Sequence, residues 1–147
     1  MLIHVDIAGQ RLTLSDAAGA ELMSCTVSTG AAGVGTKEGS GKTPTGRFAV
    51  CSKHGENAPQ NTVFRGRVPV GTWPALGGED AILARILCLD GLEAANANTR
   101  ARYIYIHGTA DTAQLGHPVS HGCIRVSPED AVRLFELCPL GTEVRID

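Results

Sequence analysis

Apolar and polar residues alternate along many short stretches of this 147-residue chain. Near the N-terminus, Ile3 and Val5 flank the polar His4, and residues 11–15 repeat the same period of two. This period is typical of β-strands with one buried face, because successive side chains point to opposite sides of a strand. The pattern predicts strands at residues 2–7, 11–15, 22–28, 47–51, 82–89, 103–107, 123–126 and 142–146.

Turn residues separate these runs. The chain has 18 glycines and 7 prolines, scattered between the apolar segments, which favours a β-rich domain with many turns. Residues 8–10 and 16–19 are predicted turns between neighbouring strands. Residues 82–89 fit either a helix or a strand buried on both faces, and we favour the strand. Since no repeat or linker interrupts the chain, we expect a single domain over residues 1–147.

One helix is predicted after residue 126. Ser127 is a good N-cap, Pro128 suits the first helical position, and Asp130 stands where a capping box has its acid. Apolar residues then recur at helical spacing on one face, and Pro139 with Gly141 ends the helix before the last strand. The residues of this apolar face are Ala131, Leu134, Phe135 and Cys138.

Two long stretches, 30–44 and 53–78, lack a clear period. The first is rich in glycine, but a nucleotide-binding loop is disfavoured because Thr36 occupies the position of the first P-loop glycine and Pro44 opposes a following helix. Long irregular segments in a small domain are more often substrate walls or lids. Three side chains of the second stretch have two possible roles: Trp73, Arg65 and Arg67. Either they line a groove, or the tryptophan packs as a structural residue and the two arginines are solvated.

The charge and the cysteines narrow the setting in which the protein works. A net charge of −2 gives no reason to expect nucleic acid or an anionic membrane as partner, and no apolar run is long enough to cross a bilayer. The N-terminus lacks the features of a signal peptide, and five cysteines without a CxxC spacing fit a reducing compartment. We therefore expect a cytoplasmic protein, or a periplasmic one if the chain is a trimmed mature form.

The chemistry of the chain concentrates in two segments, around residue 107 and around residue 123. If residues 103–107 form a strand, Tyr103, Tyr105 and His107 share one face and line a groove. The loop that follows can bring Cys123 beside His107, which pairs a thiol with a base for acyl transfer, and the carbonyl of Gly108 can orient the imidazole. A buried structural cysteine, a thiol redox switch and a zinc site remain alternatives; the zinc ligands would be His107, His117, His121 and Cys123.

The residues around the thiol suggest supporting roles. Backbone N–H groups near Gly122 and Cys123 can stabilise an oxyanion, because glycine allows the substrate a close approach. His121 and Arg125 alternate with Cys123, so both can face the same cleft. We expect His121 to donate a hydrogen bond or position the site, and Arg125 to bind a substrate carboxylate. No cofactor and no metal is expected.

The segments His107-Gly108-Thr109 and Ser120-His121-Gly122-Cys123-Ile124-Arg125 resemble the active-site signature of YkuD-type L,D-transpeptidase catalytic domains. The turn at residues 43–48 and the segment at 28–30 are similar to the same family. The resemblance implies a mainly β fold, a β-sandwich of mixed sheets with one short α-helix after the catalytic cysteine. It implies Cys123 as nucleophile, His107 as base and the Gly108 carbonyl as orienter. Ser120, His121 and Gly122 would shape the thiol and oxyanion pocket, with Arg125 on the substrate.

The same resemblance implies a substrate, the stem peptide of peptidoglycan. The thiolate would attack the carbonyl of the third residue, usually diaminopimelate, and expel the terminal D-alanine. Water as acceptor would give an L,D-carboxypeptidase acting on soluble muropeptides in murein recycling, which we favour for a chain without an export signal. Amine acceptors would instead give 3–3 cross-links in the cell wall, or exchange of D-amino acids. A non-catalytic muropeptide-binding domain is the alternative of another class.

Overall fold

The computed structural model describes residues 1–78 and 80–147. Its one α-helix in this part of the chain is α1 (Pro128–Leu137), and two short 3-10 turns cover Ala94–Asn96 and Thr112–Gln114. The strands are β1 (Leu2–Asp6), β2 (Arg11–Ser15), β3 (Glu21–Thr26), β4 (Gly46–His54), β5 (Thr62–Arg65), β6 (Val68–Thr72), β7 (Ile82–Gly91), β8 (Tyr105–Thr109), β9 (Ile124–Val126) and β10 (Glu143–Ile146).

The strands are hydrogen-bonded into one branched, mixed sheet. Its main path runs β3-β2-β1-β10-β4-β7-β5-β6, and β8 pairs with β7 while β9 pairs with β8. The β1–β10 and β8–β9 pairs are parallel, and the remaining pairs are antiparallel. The expected mainly β fold with mixed pairing and one helix is confirmed. Because β7 has three partners, the sheet divides there into two arms.

The two arms cover a common apolar core. Alternating residues of the arm that runs from β3 to β4, such as Ile3 and Leu12, are fully buried. They belong to one cluster with Ile106 of β8, Ile124 of β9 and Leu134 of α1. Strand β7 is buried on both faces, since Leu87 and Leu89 enter this core whereas Ile86 and Cys88 enter a second cluster. The sequence prediction for residues 82–89 is therefore confirmed: the segment is a strand.

The helix begins as its sequence predicts. The Ser127 hydroxyl oxygen accepts a hydrogen bond from the Asp130 amide at 3.1 Å and donates to the Asp130 carboxylate at 2.9 Å. Ala131, Leu134 and Cys138 are fully buried, so the helix packs its apolar face on the sheet. The helix thereby closes the core on the side of β7 and β8, and it follows directly after β9.

The stretch at residues 53–78 is more regular than predicted. Strand β4 extends to His54, and β5 and β6 form an antiparallel hairpin whose loop consists of Gly66 and Arg67. Both loop residues have positive φ, 56° and 65°, as a type I′ turn requires. The prediction was wrong here because both strands are short and β6 carries an internal proline and a glycine, which weaken the period-two signal.

Candidate active site

Parallel pairing of β8 and β9 brings the two predicted catalytic segments together. Ile106 pairs with Ile124 and His107 with Arg125, and both isoleucines point into the core. Tyr105 belongs to the cluster on the opposite face, against which Cys123 packs just before β9 begins. Because side chains alternate along a strand, Tyr105 and His107 share the face on which the thiol lies. The pairing thus places thiol and imidazole on one side of the sheet, as predicted.

The sulfur of Cys123 is bonded to the backbone of the neighbouring segment. Its S–H donates to the Tyr103 carbonyl at 3.4 Å, and the Tyr105 N–H donates to Sγ at 3.3 Å. Tyr103 itself lies outside the strand, in contrast to the prediction: it has a φ of 57° and its side chain is 61% exposed. This left-handed turn ends the alternation at Tyr105 and directs the Tyr103 carbonyl to the thiol.

The imidazole of His107 is buried and oriented by a backbone carbonyl. Nδ1 lies 2.7 Å from the Gly108 carbonyl oxygen, which can only accept, so Nδ1 carries the proton and Nε2 is left unprotonated. Burial lowers the pKa of His107 to about 4; the Gly108 hydrogen bond opposes this shift, and the positive charge of Arg125 adds to it. At neutral pH the ring is therefore an uncharged base, with Gly108 as the predicted orienter.

A bulge in β7 makes room for this arrangement. Leu83 pairs with Gly108 and Ile86 with His107, so two residues of β7 are extra, and Ala84 has a φ of 70°. A β-carbon at Gly108 would lie 2.5 Å from the Leu83 carbonyl oxygen. Glycine is required at this position because the bulged strand approaches it so closely, a device that often adjusts side-chain direction beside functional sites.

The thiol of Cys123 is protonated at rest. Burial raises its pKa to about 11, while the hydrogen bond from the Tyr105 amide and the charge of Arg125 lower it. The residue is nevertheless partly exposed, so a substrate can reach it. With an uncharged thiol and an uncharged imidazole on one face of the sheet, the resting site holds no preformed thiolate.

A tight turn shapes the backbone in front of the thiol. The Ser120 hydroxyl donates to the Cys123 carbonyl at 2.6 Å and accepts from the Gly122 amide at 3.2 Å. Gly122 has a φ of 121°, and a β-carbon there would lie 3.1 Å from the Lys42 carbonyl oxygen. Of the two amides predicted to bind an oxyanion, that of Gly122 is thus occupied, whereas that of Cys123 donates to no described residue.

A residue that the sequence did not mark as functional supports this turn. Thr43 is fully buried; its hydroxyl donates to the Gly122 carbonyl at 2.9 Å and accepts from the Gly30 amide at 2.8 Å. The Ser120 amide also donates to the Thr29 carbonyl at 2.9 Å. The segment at 28–30 and the turn at 43–48 were noted above only as similar to a family. Through these hydrogen bonds they hold the turn at residues 120–123 in place.

The two remaining predicted side chains have different surroundings. Arg125 is buried, with 7% of its side chain exposed, and its Nη2 lies 3.4 Å from the Asp80 carboxylate. The His121 ring is exposed and forms no hydrogen bond to residues 1–78 or 80–147. The structure thus brings Arg125 beside His107 but already pairs it with an acid, and the roles assigned to both residues stay predictions.

A cavity of about 680 Å³ adjoins the backbone segment that contacts the thiol, although neither Cys123 nor His107 lines it. Tyr103 and Tyr105, whose backbones hold the sulfur, form part of its wall, and the Arg67 guanidinium donates to the Tyr105 hydroxyl at 3.0 Å. Arg67 therefore lines a groove, one of the two interpretations left open by the sequence, whereas Trp73 packs against the core. Sequence reasoning had no signal for the other polar residues of the wall, which are Ser52, His54, Asp90 and Arg100.

Two further features of the described residues concern metal binding and membrane insertion. Within residues 1–78 and 80–147, no group of three or more His, Cys, Asp or Glu side chains is arranged to hold a metal ion. The same part of the chain contains no helix long and apolar enough to cross a membrane.

Thiol and imidazole thus share one face of a mixed β-sheet, and comparison with known proteins gives the family of the chain. The model of the YkuD family, the L,D-transpeptidase catalytic domain, matches residues 1–146. The chain belongs to this family. YqjB of Bacillus subtilis strain 168, whose name assigns it to the L,D-transpeptidases, is 33% identical over 104 residues, which make up 71% of this chain and 51% of that protein.

Solved structures share the fold at low sequence identity. An L,D-transpeptidase from Mycobacterium smegmatis has a TM-score of 0.65 at 18% identity, over 99% of this chain and 58% of that one. LdtMt1 in complex with imipenem has a TM-score of 0.62 at 22% identity, over 99% and 58%. The chain spans about half the length of YqjB and of these structures.

Proposed function

We propose that this protein cleaves the bond between the third residue and the terminal D-alanine of peptidoglycan stem tetrapeptides, with Cys123 as nucleophile. The observation that carries the proposal is the Cys123 thiol held between the Tyr103 carbonyl and the Tyr105 amide, on the face where His107 has its Nδ1 proton on the Gly108 carbonyl. A thiol, an oriented neutral base and a glycine turn are the parts that acyl transfer requires.

The first half of the reaction forms a thioester. His107 Nε2 takes the thiol proton as Sγ bonds to the substrate carbonyl carbon, and the carbonyl oxygen becomes an oxyanion. The Cys123 amide, which has no described partner, is an available donor to stabilise that oxyanion. The carbon–nitrogen bond then breaks, and the imidazolium returns its proton to the amine of the departing D-alanine.

The second half releases the acyl group to an acceptor. We propose water as the acceptor: His107 Nε2 takes a proton from water as its oxygen attacks the thioester, and the sulfur leaves as a thiol after receiving that proton. The product would be a tripeptide with a free carboxylate, and the activity that of an L,D-carboxypeptidase. An amine in place of water would yield a cross-link or an exchanged D-amino acid by the same steps.

The cysteines support a reducing location and hence a soluble substrate. All five are free thiols, and burial raises the pKa of Cys25 to about 12 and that of Cys138 to about 11, so these thiols are protonated and unreactive. Free thiols in this number suit the cytoplasm, where muropeptide fragments rather than intact wall would be available. We therefore propose a cytoplasmic enzyme of murein recycling.

Product analysis tests the proposal. Purified protein is incubated with a defined stem tetrapeptide, with and without a second stem or a D-amino acid as amine acceptor, and products are followed by mass spectrometry. We expect tripeptide and free D-alanine in both mixtures. Cross-linked dimers or exchanged peptides without tripeptide would assign an amine as the acceptor and overturn the carboxypeptidase.

The Cys123→Ala variant separates an enzyme from a muropeptide-binding domain. We expect the variant to lose all turnover while it retains tetrapeptide binding, measured by calorimetry. Cys138→Ala is the matched control, since that thiol lies in the core and outside the site. Binding without turnover in the unsubstituted protein would show a binding domain and refute the enzymatic proposal.

A further inference from the structure

The cavity walled by Tyr103 and Tyr105 carries more positive than negative charge. Its ionised wall residues at neutral pH are Arg67, Arg100 and Asp90, so cations exceed anions. His54 adds no charge there, because burial and the neighbouring Arg67 lower its pKa below the ordinary value. A cavity of about 680 Å³ whose wall includes both residues that contact the Cys123 sulfur, and which carries excess positive charge, is suited to an anionic part of a substrate.

Arg67 is held in place for such a role. Its Nη1 donates to the Tyr105 hydroxyl at 3.0 Å, and its guanidinium carbon lies 5.5 Å from the centre of the Tyr103 ring. A guanidinium has five N–H donors, and one of them meets the tyrosine. The contact thus fixes the planar group while leaving donors for a second acceptor, and a carboxylate can accept two of them in parallel.

The backbone at Arg67 also departs from what a hairpin alone favours. Residue 67 has a φ of 65° in a type I′ turn, where glycine or asparagine is strongly preferred and an arginine is sterically costly. Such a departure from local preference is expected where a side chain serves function. The turn projects Arg67 back over Tyr105, a residue 38 positions later in the sequence whose amide donates to the Cys123 sulfur.

The sequence had suggested Arg125 for carboxylate binding, but its surroundings suit that role less well. Arg125 is buried and faces the carboxylate of Asp80 at 3.4 Å, so a substrate anion would have to displace an existing partner. Arg67 is exposed and faces the cavity. Arg67 therefore has N–H donors available for a substrate, whereas Arg125 is already paired with Asp80.

We propose that Arg67, assisted by Arg100, forms a carboxylate-binding subsite that selects stem peptides with a free carboxylate on a residue that flanks the scissile bond. This inference rests on the proposed function. The carboxylate has two possible sources in a tetrapeptide: the C-terminus of the departing D-alanine, and the side-chain carboxyl group of the third residue. Both offer the same planar anion, and substrates amidated at one group or the other distinguish them.

The test measures discrimination rather than total activity. Three tetrapeptides are compared by kcat/KM: one with both carboxylates free, one amidated at the terminal D-alanine, and one amidated at the third side chain. We expect the unsubstituted protein to prefer the free form about ten- to a hundredfold over one of the amides, as the loss of a charge-assisted hydrogen-bonded pair implies. The amide that is disfavoured identifies the carboxylate.

Three variants assign that preference to Arg67. Arg67→Gly removes the guanidinium and suits the positive φ, so the hairpin is retained; we expect the preference to fall to about twofold or less, an effect of the size of a weak exposed contact. Arg67→Lys should retain part of the preference, because lysine keeps the positive charge but lacks the planar set of N–H donors. Arg65→Gln, on the same hairpin but outside this cavity, should retain it in full.

The outcomes distinguish this inference from the proposed function. If the unsubstituted protein turns over no tetrapeptide, the proposed function fails first. If it turns over tetrapeptide without preferring the free carboxylate, or if Arg67→Gly keeps the full preference, the carboxylate subsite is refuted while the enzyme stands. Because a ratio of substrates is measured, partial loss of folded protein does not imitate the expected result, and a thermal unfolding midpoint records the fold of each variant.

Discussion

The hydroxyl of Thr43 donates a hydrogen bond to the carbonyl oxygen of Gly122 at 2.9 Å, although the two residues are 79 positions apart. The same hydroxyl accepts from the Gly30 amide at 2.8 Å, so one buried side chain links a glycine-rich segment to the residue before the nucleophile. Because Gly122 adopts a φ of 121°, the direction of the Cys123 amide depends on how this turn is held. Thr43 is thus a positioning residue for the site.

Replacing Thr43 with valine should therefore affect both stability and reactivity. Valine keeps the shape but leaves the Gly30 amide and the Gly122 carbonyl unpaired, at a cost of about 1–3 kcal/mol in the free energy of unfolding. We expect acylation of Cys123 to slow by about tenfold as the turn loosens. Thr43→Ser keeps the hydroxyl and should restore most of the rate. Equal rates for the serine and valine variants would show that the hydrogen bonds do not position the turn.

The two histidines near the thiol should differ sharply in their effect. We expect His107→Ala to slow acylation of Cys123 by a stem tetrapeptide about 10²- to 10⁴-fold at neutral pH, since a raised thiol pKa makes a base necessary. His121→Ala should slow it less than about tenfold, because the exposed ring lacks a described partner. Rates are followed by intact-protein mass spectrometry. A comparable loss in both variants would contradict the assignment of His107 as the base.

The pKa of His107 predicts how activity falls in acid. The active form has a neutral ring, and burial lowers the pKa of that ring to about 4, so protonation should remove activity only as the pH falls through about 4. An ordinary exposed histidine would lose it near pH 6.5. The measurement is the rate of acylation between pH 3.5 and 8 by rapid mixing, with circular dichroism at each pH as the control for folding. An acid limb centred near 6.5 would contradict a buried neutral base.

Gly108 should not tolerate a side chain. In Gly108→Ala the added carbon would lie 2.5 Å from the Leu83 carbonyl oxygen, so β7 or β8 must shift, at a cost of about 1–3 kcal/mol. The shift would also move the carbonyl that orients His107. We therefore expect a larger loss of turnover than the loss in free energy of unfolding alone would explain. Gly78→Ala is the matched control, because a β-carbon there meets nothing within 4 Å. Chemical denaturation and turnover are measured for both variants, and unchanged values for Gly108→Ala would contradict the close packing.

Much of the fold was predictable from local patterns. The alternation in strands β1 and β2, the turn residues between them, and the cap at Ser127 were correctly interpreted, because each depends on a few consecutive residues. Strands β5 and β6 were missed because β5 has only four residues and because Pro69 and Gly71 interrupt the period of β6. The strand at residue 105 was begun too early because Tyr103 continues the alternation by side-chain type, whereas its backbone adopts a left-handed turn.

The site shows the same division. Cys123, His107 and Gly108 could be selected from sequence, since a thiol, a base and a glycine at that spacing carry recognisable chemistry. Thr43 and Arg67 could not, because a hydroxyl and a guanidinium on turns have many ordinary uses. Their contacts with Gly122 and Tyr105 exist only once distant strands have paired.

The sequence by itself determined the period of the strands and the cap of the helix, and it selected the candidate nucleophile, base and orienting glycine, because these properties belong to short segments and to functional groups. The tertiary structure decided the protonation state of the Cys123–His107 pair, since burial shifts both pKa values toward the neutral forms. It also decided which arginine faces the cavity, because the hairpin brings Arg67 to Tyr105 while the parallel pairing of β8 and β9 buries Arg125 beside His107.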